Sequence, residues 1–340
     1  MTGRTATVVN LCEMVNGQES DLFAMLSVKE QLTTRDGKPY HRVGFRDARR
    51  EVSFPIWQDS PLAEECKQTW TAGACYKLRA LYRETNYGPQ LEIRKIRHVS
   101  ETDRADGYDP QMFLPRSRFE PTAMFVELVE LIDASVADGP LRRLVQAILT
   151  EHRERLLTLP AATRNHHAYI SGWLEHVLSV TRTAVYLAEK YDDAYPDLRP
   201  RLNRSLVIVG AVLHDIGKLL ELEWQAEGAA ITASGALIGH ILQGRDLVRD
   251  AAARQAAAGE PVDADTLLRL EHIIVSHQRL PEWGSPKPPM TPEALLVHYA
   301  DDLDAKFQMY YGILRDDASS GPLTSAKNVL TQRLYRGANS

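Results

Sequence analysis

The run VGAVLHDIGKLLELEW, from Val209 to Trp224, decides the fold. It is apolar enough to read as one helix buried on most of its circumference, yet it carries His214 and Asp215 side by side in its middle. An unpaired carboxylate costs several kcal/mol to bury, so a buried helix keeps one only beside a compensating positive charge. Something cationic must therefore sit on His214 and Asp215.

Residues of metal-ligand type recur on the neighbouring helical segments. Upstream, ISGWLEHVLSVTRTAVYLAEKY sets Trp173, Val177, Val180, Ala184 and Leu187 on an apolar stripe, with His176 beside it. Downstream come His240, then His272 and His277 in EHIIVSHQ, then Asp301 in HYADDLDAKF, each inside or bounding an apolar helical segment. Imidazole and carboxylate together suit Mn²⁺, Fe²⁺ or Zn²⁺, and the absence of nearby thiolates counts against a structural zinc site. A single buried histidine is usually an ordinary core residue. Several on consecutive helices are not.

The chain of 340 residues is long enough for two domains. Its 44% hydrophobic and 25% charged residues are ordinary for a soluble globular protein. No apolar run reaches the roughly 18 residues of a spanning helix. The start, MTGRTATVVNLCEMVNGQ, lacks the apolar core of a signal peptide, so a cytoplasmic protein with no membrane partner is expected. Cys12, Cys66 and Cys75 are odd in number and lack CxxC spacing, which leaves them as small core residues. Residues 1–100 carry 15 Lys and Arg against 12 Asp and Glu, and the rest carry 25 against 33, so a mildly basic module at +3 precedes an acidic one at −8. The overall charge of −5 argues against gripping nucleic acid by net charge alone.

The basic module reads as strands: DLFAMLSVKEQLTT, HRVGFRD, EVSFPIW, CYKLRALYRET and QLEIRKIRHV, with a hairpin turn at Arg35-Asp36-Gly37-Lys38. Five strands in this length fit a small barrel, and KEQLTTRDGKPYHRVGFRDARREVSFPIW resembles the first three strands of a nucleic-acid-binding OB-fold. Such barrels hold single strands by a basic groove and stacking aromatics. Tyr40, Arg42, Arg46, Tyr82 and Tyr87 are the candidates for that surface, whereas Phe45, Phe54 and Trp57 are expected in the core. From Glu101 to Arg118 the Asp, Gly and Pro content marks a linker. Beyond it PTAMFVELVELIDASV and PLRRLVQAILTEHRERLL begin a half that reads as all-α, with a surface loop near Gln255 to Ala264 and a polar tail from Ser319 holding one short helix at most.

The order His176, His214-Asp215, Asp301 resembles the HD-domain phosphohydrolase superfamily, whose signature is H…HD…D on an all-α bundle. More narrowly, PAATRNHHAYISGWLEH, LHDIGK, SHQRLPEWGSPKPPMTPEA and HYADDLDAK behind an OB-fold resemble the YhaM family of 3′→5′ exoribonucleases. The resemblance implies a five-stranded OB-fold barrel over 1–100, a linker and connecting helices over 101–155, an HD bundle over 156–320 and a tail over 321–340. It also implies two divalent ions, Mn²⁺ first and Fe²⁺, Co²⁺ or Zn²⁺ as alternatives. His176, His214, Asp215 and Asp301 would hold the basic set, Asp215 would bridge, and His240 and His277 would complete a second site. The chain departs from relatives that carry two adjacent histidines, having His277-Gln278.

Such ions acidify water and neutralise phosphate oxygens during in-line attack, so no protein nucleophile is required. Lys218 in HDIGK either steadies phosphate and water or pairs with a ligand carboxylate. His166 and His167 are candidates for phosphate contact or leaving-group protonation, and otherwise cap a helix. Trp283 and Lys287, in the proline-stiffened WGSPKPP loop, are candidate RNA contacts. Thr291-Pro292 should open the helix bearing Asp301. His272 lies off the His277 face and reads as structural.

The activity so implied is 3′→5′ exonucleolytic hydrolysis of single-stranded RNA, with single-stranded DNA as a further candidate substrate, to nucleoside 5′-monophosphates. Two alternatives stand beside it: an HD phosphohydrolase of small nucleotides or cyclic dinucleotides, and a non-catalytic nucleic-acid-binding regulator with a structural metal. A homo-oligomer is compatible with all three.

Overall fold

The computed structural model describes residues 8–34, 36–85, 88–225, 228–317 and 319–337. The chain divides at Pro115 and Arg116 into two compact units, one of strands and one of helices. Tyr87 and Arg35 lie outside the described residues.

The first unit is one five-stranded antiparallel sheet in the order β3-β2-β1-β4-β5, formed by β1 (Glu19–Thr33), β2 (Pro39–Arg46), β3 (Glu51–Trp57), β4 (Cys75–Thr85) and β5 (Gly88–His98). Helix α1 (Ala63–Thr69) links β3 to β4, and β3 also lies against β5, curling the sheet toward closure. This arrangement resembles an OB-fold. Alternation drives it: Val52, Phe54 and Ile56 of β3 and Tyr76, Leu78, Ala80 and Tyr82 of β4 point into one core with Leu22, Leu26 and Phe45.

Strand β1 is buried on both faces, because Phe23 and Met25 pack outward beneath Phe113. The Glu101 to Arg118 stretch therefore departs from the linker its composition implied. Glu101–Asp106 and Pro110–Phe113 are short 3-10 turns folded onto the barrel. The clamp is Asp103, buried, whose carboxylate takes Arg97 Nη1 and Nη2 at 2.7 and 2.6 Å, Lys77 Nζ at 3.4 Å and the Ser100 backbone N–H at 2.8 Å.

The second unit is helical: α2 (Pro121–Ser135), α3 (Gly139–Glu151), α4 (Arg153–Leu156), α5 (Gly172–Ala194), α6 (Arg204–Leu213), α7 (Lys218–Glu221), α8 (Ala233–Ile238), α9 (His240–Ala257), α10 (Ala264–Ser276) and α11 (Pro292–Asp316). Every residue of α6 from Ser205 to Leu213 is buried, with α2, α3, α5, α10 and α11 packed around it. Trp173, Val177, Val180 and Ala184 of α5 form the expected stripe. Helices α2 and α3, expected as connectors, belong to this core through Leu128, Ile132, Leu144 and Ile148. Thr291 caps α11, its hydroxyl accepting from the Ala294 N–H at 3.2 Å, with Pro292 in the first turn.

Two expectations fail here. Val209 to Trp224 is not one helix: α6 stops at Leu213, His214–Gly217 forms a turn of i→i+3 bonds, and α7 follows. The chain packs closely at this turn, since a Cβ on Gly217 would lie 1.9 Å from the His240 carbonyl oxygen. Nor is the second half purely α, because LELEW runs into a hairpin of β6 (Leu222–Gln225) and β7 (Gly228–Ile231). Leu222 is buried, and the alternation in LEW satisfies a strand as well as a helix. The described part of the tail contains no helix and is held by a bridge between Leu323 and Tyr335.

Arg97 holds the Asp103 carboxyl far below the ordinary carboxylate range. We expect Asp103→Ala to cost the barrel about 1–3 kcal/mol at neutral pH, read as faster hydrogen exchange at β4 and β5 amides in the full chain. Because the folded pKa is depressed, this stabilisation is complete above the unfolded value of about 4 and fades as pH falls below it. A difference from wild type that persists unchanged at pH of about 2 would contradict this assignment.

Candidate metal centre and barrel surface

Five helical segments deliver side chains to one buried point. His176 comes from the first turns of α5, His214 and Asp215 from the end of α6, His240 from the start of α9, His277 from the end of α10 and Asp301 from mid-α11. His176, His214, Asp215 and His277 are buried. The helix ends orient two of the rings: His214 Nδ1 and His277 Nδ1 each donate, at 2.7 Å, to the carbonyls of Ala211 and Ile274 in the last turn of their own helices. His176 Nδ1 donates to Asp304 Oδ2 at 2.8 Å, and His240 Nδ1 to Glu221 Oε1 at 3.0 Å. With Nδ1 committed on all four, each Nε2 is the free ligand atom.

Those atoms converge. His176 Nε2 lies 3.3 Å from His214 Nε2, 3.2 Å from Asp301 Oδ1 and 3.7 Å from Asp215 Oδ2. His214 Nε2 lies 3.5 Å from Asp215 Oδ2 and 3.7 Å from Asp301 Oδ1. Bonds of about 2.0–2.2 Å to a tetrahedral ion separate its donors by roughly 3.3–3.6 Å. On the other side, Asp215 Oδ1 lies 3.3 Å from His240 Nε2 and 3.5 Å from His277 Nε2. Asp215 thus gives one oxygen to each set.

The donor chemistry fits a divalent cation. Four imidazole lone pairs and two carboxylates face one another, and buried Asp215 Oδ1 and His277 Nε2 have no hydrogen-bond partner among the described residues. Acceptors at such separations repel unless positive charge lies between them. Among the described residues, buried Lys218 supplies positive charge here, its Nζ 2.6 Å from Asp215 Oδ2. Burial opposes ionisation of Asp215, yet Lys218 and His214 hold its carboxyl well below the usual range. Burial likewise opposes charge on His214, but Asp215 and Asp301 outweigh it and raise its pKa to about 10. The carboxylates draw positive charge onto whatever adjoins them.

Of the other candidates, Lys218 pairs with the carboxylate, one of the two roles open to it. His167 is committed on both nitrogens, Nδ1 to Tyr169 Oη at 2.8 Å and Nε2 to Asp304 Oδ2 at 3.0 Å. A Cβ on Gly172 would strike the His167 carbonyl oxygen at 1.9 Å, so glycine lets that loop seat against α5. His166 keeps a buried, unpartnered Nδ1, with its ring 5.5 Å from that of His176. Burial, then Lys218 and His176, lower its pKa to about 3, so it is neutral at pH 7. His272 Nε2 accepts the Met290 N–H at 2.8 Å. Trp283 and Lys287 are exposed on the loop between α10 and α11.

Sequence reasoning missed Asp304 and Glu221, the carboxylates that orient His176 and His240. Asp304 also accepts from Ser179. The available signal was spacing: Asp304 follows Asp301 by three residues on α11, hence on the same face. Glu221 gave no such signal, because it meets His240 only through the close contact at Gly217.

On the barrel, Tyr82 is a core residue beneath Arg50, whose guanidinium sits 5.1 Å from its ring, so it is withdrawn as a surface candidate. Trp57 is the converse: expected in the core, it is 47% exposed. Its side chain points outward because Val52, Phe54 and Ile56 take the inner face of β3. Tyr40 pairs with it across β2 and β3, ring centroids 5.0 Å apart. Arg42 joins Glu30 at 3.0 Å, and Arg46 Nη2 lies 3.6 Å from Met25 Sδ.

Residues 173–306, which span His176 through Asp301, match the family model for the HD domain. The helical unit contains an HD domain. HD domains bind divalent metals and indicate a metal-dependent phosphohydrolase, consistent with the donor set above. Two solved structures align with 28% of the chain. A crystal structure of a domain of replication protein A from Methanococcus maripaludis is covered to 98% at 8% identity with a TM-score of 0.22. A solution structure of the second OB-fold domain of that protein is covered to 96% at 10% identity with a TM-score of 0.21. No helix among the described residues is long and apolar enough to cross a membrane.

Asp304→Asn keeps every candidate ligand but loosens His176, and should weaken Mn²⁺ binding about 10–100-fold. Wild type should gain thermal stability in Mn²⁺, about 2.7 kcal/mol at 100 times its Kd. Differential scanning fluorimetry over a Mn²⁺ series checks both; equal midpoints for the two proteins would refute the positioning role.

Proposed function

We propose that this protein is a metal-dependent 3′→5′ exoribonuclease that shortens single-stranded RNA, with single-stranded DNA as a further candidate substrate, to nucleoside 5′-monophosphates. The observation that carries the reading is Asp215, whose two oxygens face two separate sets of ligand atoms in an HD domain joined to a barrel. Divalent ions held there supply Lewis acidity, acidifying water and neutralising the phosphate. RNA as substrate and 3′→5′ polarity rest on the resemblance of the sequence to the YhaM family.

The chain's own groups have distinct tasks in this reading. Asp304, Glu221 and the carbonyls of Ala211 and Ile274 keep the four rings aimed, so no reorganisation is needed at the moment of reaction. Lys218 balances the charge of Asp215 and steadies the phosphate as negative charge builds. His166, neutral at pH 7, offers a hydrogen bond to a phosphate oxygen, while His167 holds Asp304 and touches no substrate. Trp283 and Lys287 contact RNA from the loop beside α10. On the barrel, Tyr40 and Trp57 offer a stacking platform, worth about 1–3 kcal/mol per base, with Arg42 two residues along β2 and Arg46 at the far end of that strand.

Hydrolysis of small nucleotides is the rival enzymatic reading, and it leaves the exposed Tyr40–Trp57 pair without a purpose. A purely structural metal is disfavoured by ligand atoms of nitrogen and oxygen without thiolate. The test is a time course on 5′-end-labelled single-stranded RNA with Mn²⁺, beside free nucleotides and cyclic dinucleotides. We expect a ladder shortening from the 3′ end, lost in Asp215→Ala while RNA retention persists. Intact RNA with a hydrolysed nucleotide would replace the exonuclease reading with its rival.

A further inference from the structure

The residue that takes the place of a second histidine, Gln278, is aimed at the centre. Its side-chain Nε2 lies 3.3 Å from His240 Nε2. Glu221 Oε1 accepts both the His240 backbone N–H and Nδ1–H at 3.0 Å, which leaves the lone pair on Nε2 to receive the Gln278 amide N–H. That lone pair is the one facing Asp215 Oδ1 at 3.3 Å. The Gln278 amide group therefore borders the same point as His240, His277 and Asp215.

Its position is built into the backbone. The Gln278 N–H donates to Ser285 Oγ at 3.1 Å, and Ser285 is fully buried. The Gln278 carbonyl accepts from the Leu280 N–H at 2.7 Å. Between them Arg279 adopts φ of 67°, a left-handed conformation that costs a non-glycine residue roughly 1–2 kcal/mol. A strained turn just after α10 thus fixes the direction of Gln278.

We propose that Gln278 is a ligand of the second metal site, through its amide oxygen. Once the His240 lone pair is engaged by an ion, the Gln278 N–H loses its acceptor. Rotating the amide by half a turn exchanges NH₂ for the carbonyl oxygen at nearly the same place. A neutral amide oxygen is a harder and weaker donor than imidazole, so this site binds its ion less tightly than the one at His176, His214, Asp215 and Asp301, and its preference for Zn²⁺ over Mn²⁺ is smaller than a third imidazole would give. This inference rests on the metal-centre reading above.

The test titrates the full chain with MnCl₂, reading free Mn²⁺ by electron paramagnetic resonance, in wild type, Gln278→Leu and Gln278→His. Wild type should bind one ion tightly and a second more weakly. Gln278→Leu should keep the first and lose the second by at least about tenfold in affinity, and Gln278→His should tighten the second and turn its preference toward Zn²⁺. Thermal melts confirm that each variant is folded, and Gln278→Leu decides alone if Gln278→His is not. A second ion bound equally well by wild type and Gln278→Leu, or one ion in both, would overturn the role of Gln278 while leaving the centre intact. No ion bound by wild type would instead bring down the metal-centre reading.

Discussion

The helical unit is organised around the mutual repulsion of buried acceptors. Four imidazoles give their Nδ1 protons outward, so their Nε2 lone pairs meet the oxygens of Asp215 and Asp301 at 3.2–3.7 Å. Lys218 offsets part of that charge at 2.6 Å from Asp215 Oδ2. Such an arrangement in a low-dielectric interior is unfavourable without more positive charge, and the surrounding packing must hold it in place.

The packing does so with helix ends. Helices α6 and α10 both terminate at the centre, each on a histidine tied to its own last turn, and their negative dipole ends add to the attraction for a cation. Gly217 and Gly172 allow the turn after α6 and the loop before α5 to come within the reach a side chain would deny. The candidate ligands are thus set by close-packed backbone, and the carboxylates that orient His176 and His240 come from α11 and α7. The barrel is a separate problem, solved by alternation and by the Asp103 clamp.

Much of this was legible in the sequence because it followed from periodicity. The five strands, the α5 stripe and the histidines bounding apolar helices could all be read from spacing of 2 or 3.6 residues. What escaped reading depends on contacts between elements distant along the chain. The break after Leu213 coincides with the close approach of Gly217 to the start of α9, the Glu221–His240 bond crosses the same contact, and the docking of Phe113 comes from the apolar outer face of β1. Tyr82 and Trp57 exchanged places because alternation gives two faces without saying which is the core. At Trp57 the inward Val52, Phe54 and Ile56 settle it.

The central claim is that the convergent acceptors of His176, His214, Asp215, His240, His277 and Asp301 exist to hold metal. Diffraction from Mn²⁺-soaked crystals, recorded at the manganese absorption edge, tests it most directly. The account predicts anomalous density on both sides of Asp215, within bonding distance of the Nε2 atoms. An ordered centre with no anomalous density at saturating Mn²⁺ would contradict it.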